Sequence, residues 1–268
     1  MFPLSLFKNS KVFILASLAI ALSGCTSKSS SVVQAAGPTG VKNVILVHGA
    51  WADGSSWTSV IATLNADGYN VTAVQLPLTS LADDAAVVQR ALARETGKTL
   101  LVGHSYGGVV ITQAGTDPKV AGLVYVAAYA PASGESALSL NGTVPNTPIL
   151  NDLSADASGF LTISNAGVAA DFAQDLSVAD QTTVALTQGP ISAPGALSAS
   201  VTTVAWNNVP SWYVVASNDR VISPALEATM AKRMNATTLT LQSGHLAMIS
   251  HAPDVSAFIE KSASSLQQ

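Results

Sequence analysis

The middle of the chain alternates short, continuous apolar runs with segments whose apolar residues recur at helical spacing. The runs fall near 43–48, 70–75, 98–103 and 120–127, and the helical segments near 54–67, 81–95 and 107–116. Runs such as Val44-Ile45-Leu46-Val47 and Leu100-Leu101-Val102 are apolar throughout, the pattern of strands covered on both faces. Alternation of this kind predicts an α/β fold: a mostly parallel sheet with helices on both sides. Ser80-Leu81-Ala82-Asp83 has the spacing of a capping box, with Asp in place of Glu, which gives Asp83 and Asp84 a helix-start role and no catalytic one. The rhythm then breaks. Residues 131–209 are rich in Ala, Ser, Thr, Gly and Pro, with helical hints at 168–176 and 179–186, before strands return at 211–216 and 238–241.

Several of these strands run into residues with chemistry. The strand at 98–103 ends in Gly103-His104-Ser105-Tyr106-Gly107. A nucleophile on a very tight strand-to-helix turn sits in a strained backbone, and small residues two before and two after it let the flanking chain pass. Ser105 is therefore the candidate nucleophile. The first strand ends in His48-Gly49-Ala50-Trp51. Acyl transfer needs two backbone N–H groups converging on the oxyanion, and Tyr106, just after the nucleophile, and Ala50 are placed to supply them. Each such donor contributes about 3 to 4 kcal/mol of transition-state stabilisation. Asn218-Asp219-Arg220 follows the strand at 211–216, at the end where functional groups of open α/β sheets collect. Gln242-Ser243-Gly244-His245 follows the last strand. Asp219 is read as the orienting acid and His245 as the general base, in the chain order serine, acid, histidine.

Other residues in these loops take quieter roles. His48 and His104 are expected to hold their turns by hydrogen bonds, Asp53 to cap the helix at Gly54, and His251 to start the terminal helix. Trp51, Tyr106, Tyr129, Leu246 and Met248 are candidate pocket walls, whereas Trp57 and Trp206 are read as structural. With four His and one Cys, no metal-ligand spacing such as H-E-x-x-H is found, and neither metal nor cofactor is expected.

Taken together, Val47-His48-Gly49-Ala50-Trp51, Gly103-His104-Ser105-Tyr106-Gly107-Gly108, Leu123-Val124-Tyr125-Val126-Ala127-Ala128-Tyr129 and Asn218-Asp219-Arg220 resemble the α/β-hydrolase superfamily over residues 42–262. The match is strongest to the small esterase branch that includes plant methylesterases and hydroxynitrile lyases, alongside bacterial esterase-like proteins. The resemblance implies the α/β-hydrolase fold, with a core at 42–130 and 210–268 and an inserted cap at 131–209, expected to be small and mostly helical. It also implies a limit. A lysine follows the histidine in the hydroxynitrile lyases, whereas Leu246 stands here, which argues against cyanogenic chemistry; a serine at the elbow argues against carbon–halogen cleavage.

The N-terminus gives an address. Lys8 and Lys11 precede an apolar stretch at 12–22, too short for a bilayer core that needs about 20 residues, and residues 1–24 are read as a signal peptide. The stretch ends in Leu22-Ser23-Gly24-Cys25, which resembles the bacterial lipobox, so Cys25, the only cysteine, is the expected lipidation site. Residues 25–41, rich in Ser and Gly, are read as a flexible tether. The resulting expectation is an exported, lipid-anchored protein of the bacterial cell envelope, with Thr26 favouring the outer membrane.

Charge narrows the substrate. Without Lys8 and Lys11 there are ten basic against 16 acidic side chains, so nucleic acid is not an expected partner. Between Lys119 and Arg220 there is no Lys, Arg or His, while Glu135, Asp152, Asp156, Asp171, Asp175, Asp180 and Asp219 fall in that interval. A field of one sign at the site's mouth would repel anions and favour neutral or cationic ligands, whereas carboxylates that form a solvated surface or cap helices would say nothing about substrate. The sequence thus predicts a serine esterase acting on small neutral esters through an acyl-enzyme. Its alternatives are amide, lactone, perhydrolase or carbon–carbon hydrolysis by the same three residues, and a ligand-binding lipoprotein without turnover.

Overall fold

The computed structural model describes residues 37–267, so the expected signal peptide, Cys25 and the expected tether up to residue 36 lie outside it. The first strand, β1 (Asn43–Val47), leads through a 3-10 turn (Gly54–Trp57) into α1 (Thr58–Ala66). The alternation continues through β2 (Asn70–Ala73), α2 (Leu81–Arg94), β3 (Thr99–Ser105), α3 (Gly107–Ala114) and β4 (Val120–Ala128). The elements follow the apolar periodicity closely, with one consequential difference: β3 runs on to Ser105 itself, which pairs with Ala128 after a register shift at His104. Every residue of β3 is buried, as a strand flanked on both sides and covered on both faces must be. In α2, Leu81, Ala85, Val88 and Leu92 lie on one helical face and are buried together with Asp84 and Ala91.

Residues 131–209 are mostly helical, with one addition. They hold α4 (Ala137–Asn141), a 3-10 turn (Pro148–Asp152), β5 (Leu153–Ala155), β6 (Phe160–Ile163), α5 (Asn165–Gly167), a π turn (Val168–Phe172), α6 (Val178–Thr187) and β7 (Ile191–Ser192). Strands β5, β6 and β7 form a separate antiparallel sheet, so the mostly helical cap also carries a small sheet that the sequence did not signal. Its hairpin is made by the turn chemistry of Asp156, whose Oδ1 accepts from the amides of Ser158 and Phe160, and of Gly159, whose φ of +79° suits a residue without Cβ.

The chain then re-enters the main sheet at β8 (Ser211–Ala216), followed by α7 (Pro224–Arg233), β9 (Thr237–Leu241), α8 (Ala247–Ser250) and α9 (Ala252–Ser264). The six main strands are all parallel, in the order β2-β1-β3-β4-β8-β9. Their carboxyl ends deliver the 48–51 loop, Ser105, Asp219 and His245 to the same edge of the sheet. Val41, assigned to the tether by sequence, is buried and donates its amide to Ala263 of α9 at 3.1 Å, so the folded domain includes it. No helix among the described residues is long and apolar enough to cross a membrane.

Candidate active site

Ser105 ends a buried strand with φ at +53°, in the left-handed region that costs a non-glycine residue about 1–3 kcal/mol. The glycines around it explain how the chain reverses so tightly. A Cβ on Gly103 would lie 2.6 Å from the carbonyl oxygen of Gly107, and one on Gly107 would lie 2.5 Å from that of Val47. The steric argument for G-x-S-x-G therefore holds atom by atom. Gly49 is as crowded, since its Cβ would meet that of Ser105 at 2.6 Å, and this closeness brings Ala50 beside the serine.

His245 is fully buried, and its Nδ1 donates to Asp219 Oδ2 at 2.6 Å. The other oxygen of Asp219 accepts from the amides of Val221 at 2.7 Å and Ile222 at 3.0 Å, which fixes the carboxylate plane. Nε2 of His245 is buried without a protein partner among the described residues. The serine loop is tied to this imidazole through its neighbour: His104 Nε2 donates to the carbonyl of His245 at 3.0 Å, and the two rings lie 4.7 Å apart. Burial holds the pKa of His104 well below the ordinary histidine range, so it serves as a neutral strut. His48 is another. Its Nδ1 donates to Gly49 O and its Nε2 accepts from the amide of Leu76, both at 2.9 Å, with burial again lowering its pKa.

The cap grips both loops. Asp175 accepts from the amide of Gly244 at 2.7 Å, Gln174 donates to the carbonyl of Asn218 at 2.9 Å, and the ring of Phe172 packs 5.4 Å from that of His245. Asp171 pairs with Arg220. Other cap carboxylates are likewise engaged in structure: Glu135 with Arg233, Asp152 with Ser164, Asp156 in the hairpin turn and Asp180 with the capping Ser177. Asp152 and Asp180 bond the capping serines, whereas Glu135 and Asp171 pair with arginines and Asp156 and Asp175 hold backbone amides, and none lines the cavity at Ser105.

That cavity is small, about 40 Å³, and is walled by Ala50, Trp51, Tyr106 and Tyr129 from the core and by cap residues including Ile149, Leu153, Leu161 and Leu197. No charged side chain lines it. Among the described residues, neither the Ala50 nor the Tyr106 amide has a protein acceptor. Two wall assignments need correction. Leu246 faces a neighbouring cleft of about 240 Å³ between α1, α6 and α8, and Met248 lines neither space and is fully buried in α8. Trp51 lines both spaces; its indole donates to Leu161 O at 2.8 Å and stands edge-on to Phe172.

Asp53 caps its helix by accepting from the Ser55 amide, and His251, bonded to Ser250, starts α9. Trp57 is buried and Trp206 donates to Pro131 O, both structural. Asp84 does more than start a helix. Ser80 and Asp83 cap α2 together, while Asp84 turns inward and accepts from Leu78 N at 2.9 Å and from the Tyr106 hydroxyl at 2.8 Å. Sequence reasoning missed Asp84, Phe172, Gln174, Asp175 and Glu227; only the inward helical phase of Asp84 and Glu227 signals them. Among the described residues, no cluster of His, Cys, Asp or Glu could hold a metal ion.

Comparison with known proteins agrees with this architecture. The profile of the alpha/beta hydrolase family matches residues 44–258. An alpha/beta hydrolase of Aspergillus novofumigatus is 26% identical over 79% of this chain and 92% of its own length. A carbendazim hydrolyzing esterase of a Nocardioides species is 34% identical over 37% of this chain and 46% of its own. Among solved structures, a pyrethroid hydrolase superposes with a TM-score of 0.72 at 22% identity, covering 84% of this chain and 98% of that one. Polyneuridine aldehyde esterase also gives 0.72, at 19% identity over 82% and 98%. These two likenesses concern the fold. The family match, spanning all six strands of the main sheet, is the decisive finding: the chain belongs to the alpha/beta hydrolase family.

Proposed function

We propose that the protein is a serine esterase that cleaves small neutral carboxylic esters through an acyl-enzyme. The observation that carries this reading is the buried 2.6 Å bond from His245 to Asp219 at the sheet edge that also bears Ser105 at positive φ. Ser105 Oγ passes its proton to His245 Nε2 as it attacks the ester carbonyl, and the amides of Ala50 and Tyr106 hold the oxyanion. Asp219 keeps the imidazole in the tautomer that accepts at Nε2 and stabilises the imidazolium that forms. His245 then protonates the leaving alcohol, and water repeats the sequence on the acyl-enzyme. Esterases among the relatives support the reaction class, and a cavity without charged walls supports a neutral substrate of short acyl chain.

Labelling by a fluorophosphonate tests it: the label is expected on wild type, absent from Ser105→Ala and strongly reduced in His245→Ala. A p-nitrophenyl ester panel then reads the chain length, and an optimum on long-chain triglycerides would contradict the small-ester assignment. The proposal includes attachment to the cell envelope, outer membrane favoured, through a lipid on Cys25, supported by the lipobox-like Leu22-Ser23-Gly24-Cys25. Incorporation of a labelled fatty acid, lost in Cys25→Ala, tests that part.

A further inference from the structure

Glu227 lies in the first turn of α7 and is wholly buried beneath the proposed site. One carboxyl oxygen, Oε2, accepts from the amide of Ala216, the last residue of β8, at 3.0 Å. The other, Oε1, is buried and meets no donor. The titratable groups that face Glu227 are Asp219 from the β8–α7 loop, Tyr213 from β8 and Tyr129 from the end of β4; no Lys, Arg or His is among them.

A carboxylate beside a second carboxylate, without a cation, cannot stay ionised in an apolar interior. The donors decide which of the two keeps the charge. Asp219 receives three: His245 Nδ1, Val221 N and Ile222 N. Glu227 receives one. Burial first, and the charge of Asp219 second, push the Glu227 carboxyl well above the usual range. Two acceptor groups side by side also need a proton between them, and Oε1 is the oxygen left free to carry it.

We propose that Glu227 is a positioning residue, held as a neutral carboxylic acid that donates a hydrogen bond to Asp219, the carboxylate that orients His245. The inference rests on the triad reading above. Such a bond would restrain Asp219 and temper its charge, so that Asp219 orients His245 without making it too strong a base. An ionised Glu227 would do the opposite, adding a second negative charge beside Asp219.

Two measurements on the full protein test this. The first is an infrared difference spectrum of wild type against Glu227→Gln at neutral pH, which needs no turnover. A carboxylic acid C=O band lost in the variant is expected; its absence from wild type overturns the proposal. The second is the pH profile of kcat/KM for p-nitrophenyl acetate. Glu227→Gln has the same shape and can donate the same bond, so its rate should stay within about threefold of wild type with the acid limb unmoved. Glu227→Met has similar bulk without a donor, and its acid limb should move up by about half a unit as Asp219 regains its full charge. A downward shift in Glu227→Gln, or an unmoved limb in Glu227→Met, refutes the role. If no ester is turned over, the triad reading fails, while the infrared band still decides the protonation of Glu227.

Discussion

The hydroxyl of Tyr106, the residue after the proposed nucleophile, donates to the buried carboxylate of Asp84 at 2.8 Å. The bond ties the start of α3 to the start of α2 and holds the peptide whose amide is assigned to the oxyanion. Burial pushes the Asp84 carboxyl up to about 6, against the opposing pull of its bonds from Tyr106 and Leu78. A carboxyl with a raised folded-state pKa favours the fold when protonated. That contribution is fully present below the unfolded value of about 4 and is lost as pH rises through about 6. Asp84→Asn has no such titration. Its stability relative to wild type should therefore rise by about 2–3 kcal/mol between pH 4 and pH 7, read from urea unfolding at several pH values. Parallel stability curves for the two proteins would refute this.

Backbone strain at Ser105 makes a second prediction. Ser105→Ala and Ser105→Gly should both lose activity by several orders of magnitude, on the order of 10⁶ at the extreme. They should not be equally stable. Glycine relieves the +53° φ while alanine keeps it, so the glycine variant should gain about 1 kcal/mol over the alanine variant, a melting shift of about 2–4 °C by calorimetry. An alanine variant that melts at or above the glycine variant would show that the elbow is not strained.

Asp219→Asn separates orientation from folding. The asparagine oxygen can still accept from Val221 and Ile222, so the loop should persist, while its amide would face Nδ1 and favour the wrong tautomer. Activity near neutral pH should fall by about 10⁴ with little change in melting temperature. A loss below tenfold would remove Asp219 from the proposed role.

Trp51 stands between the cavity at Ser105 and the larger cleft, and lines both. Trp51→Ala should join them and move the ester preference toward longer chains, with kcat/KM for the shortest ester reduced as packing against Phe172 is lost. An unchanged chain-length profile would show that the cleft is not continuous with the substrate's path.

The core was legible because its constraints are short-range. A buried strand must be apolar throughout, and a chain reversing at Ser105 must be small at 103 and 107; five residues state both. The cap was harder to read. Its hairpin strands, Leu153–Ala155 and Phe160–Ile163, are short and partly exposed, and the preceding Ala- and Ser-rich chain favours neither period. Asp84 reads in sequence as an ordinary acidic residue of a helix start, and Glu227 occupies the same kind of position in α7; only the phase that turns them inward sets them apart. The contacts of Gln174 and Asp175 join residues far apart along the chain, a relation that no local pattern carries.

The segment that supplies Phe172, Gln174 and Asp175 changes what trimming this enzyme would achieve. Because the roof is bolted to the loops of both Asp219 and His245, deleting it would leave those loops unbraced as well as opening the chamber. Widening substrate scope therefore belongs to the apolar walls at Leu153 and Leu197 rather than at Ile149, whose amide donates to Arg220 O at 3.4 Å in the Asp219 loop. In this architecture the cover and the machinery beneath it are inherited together.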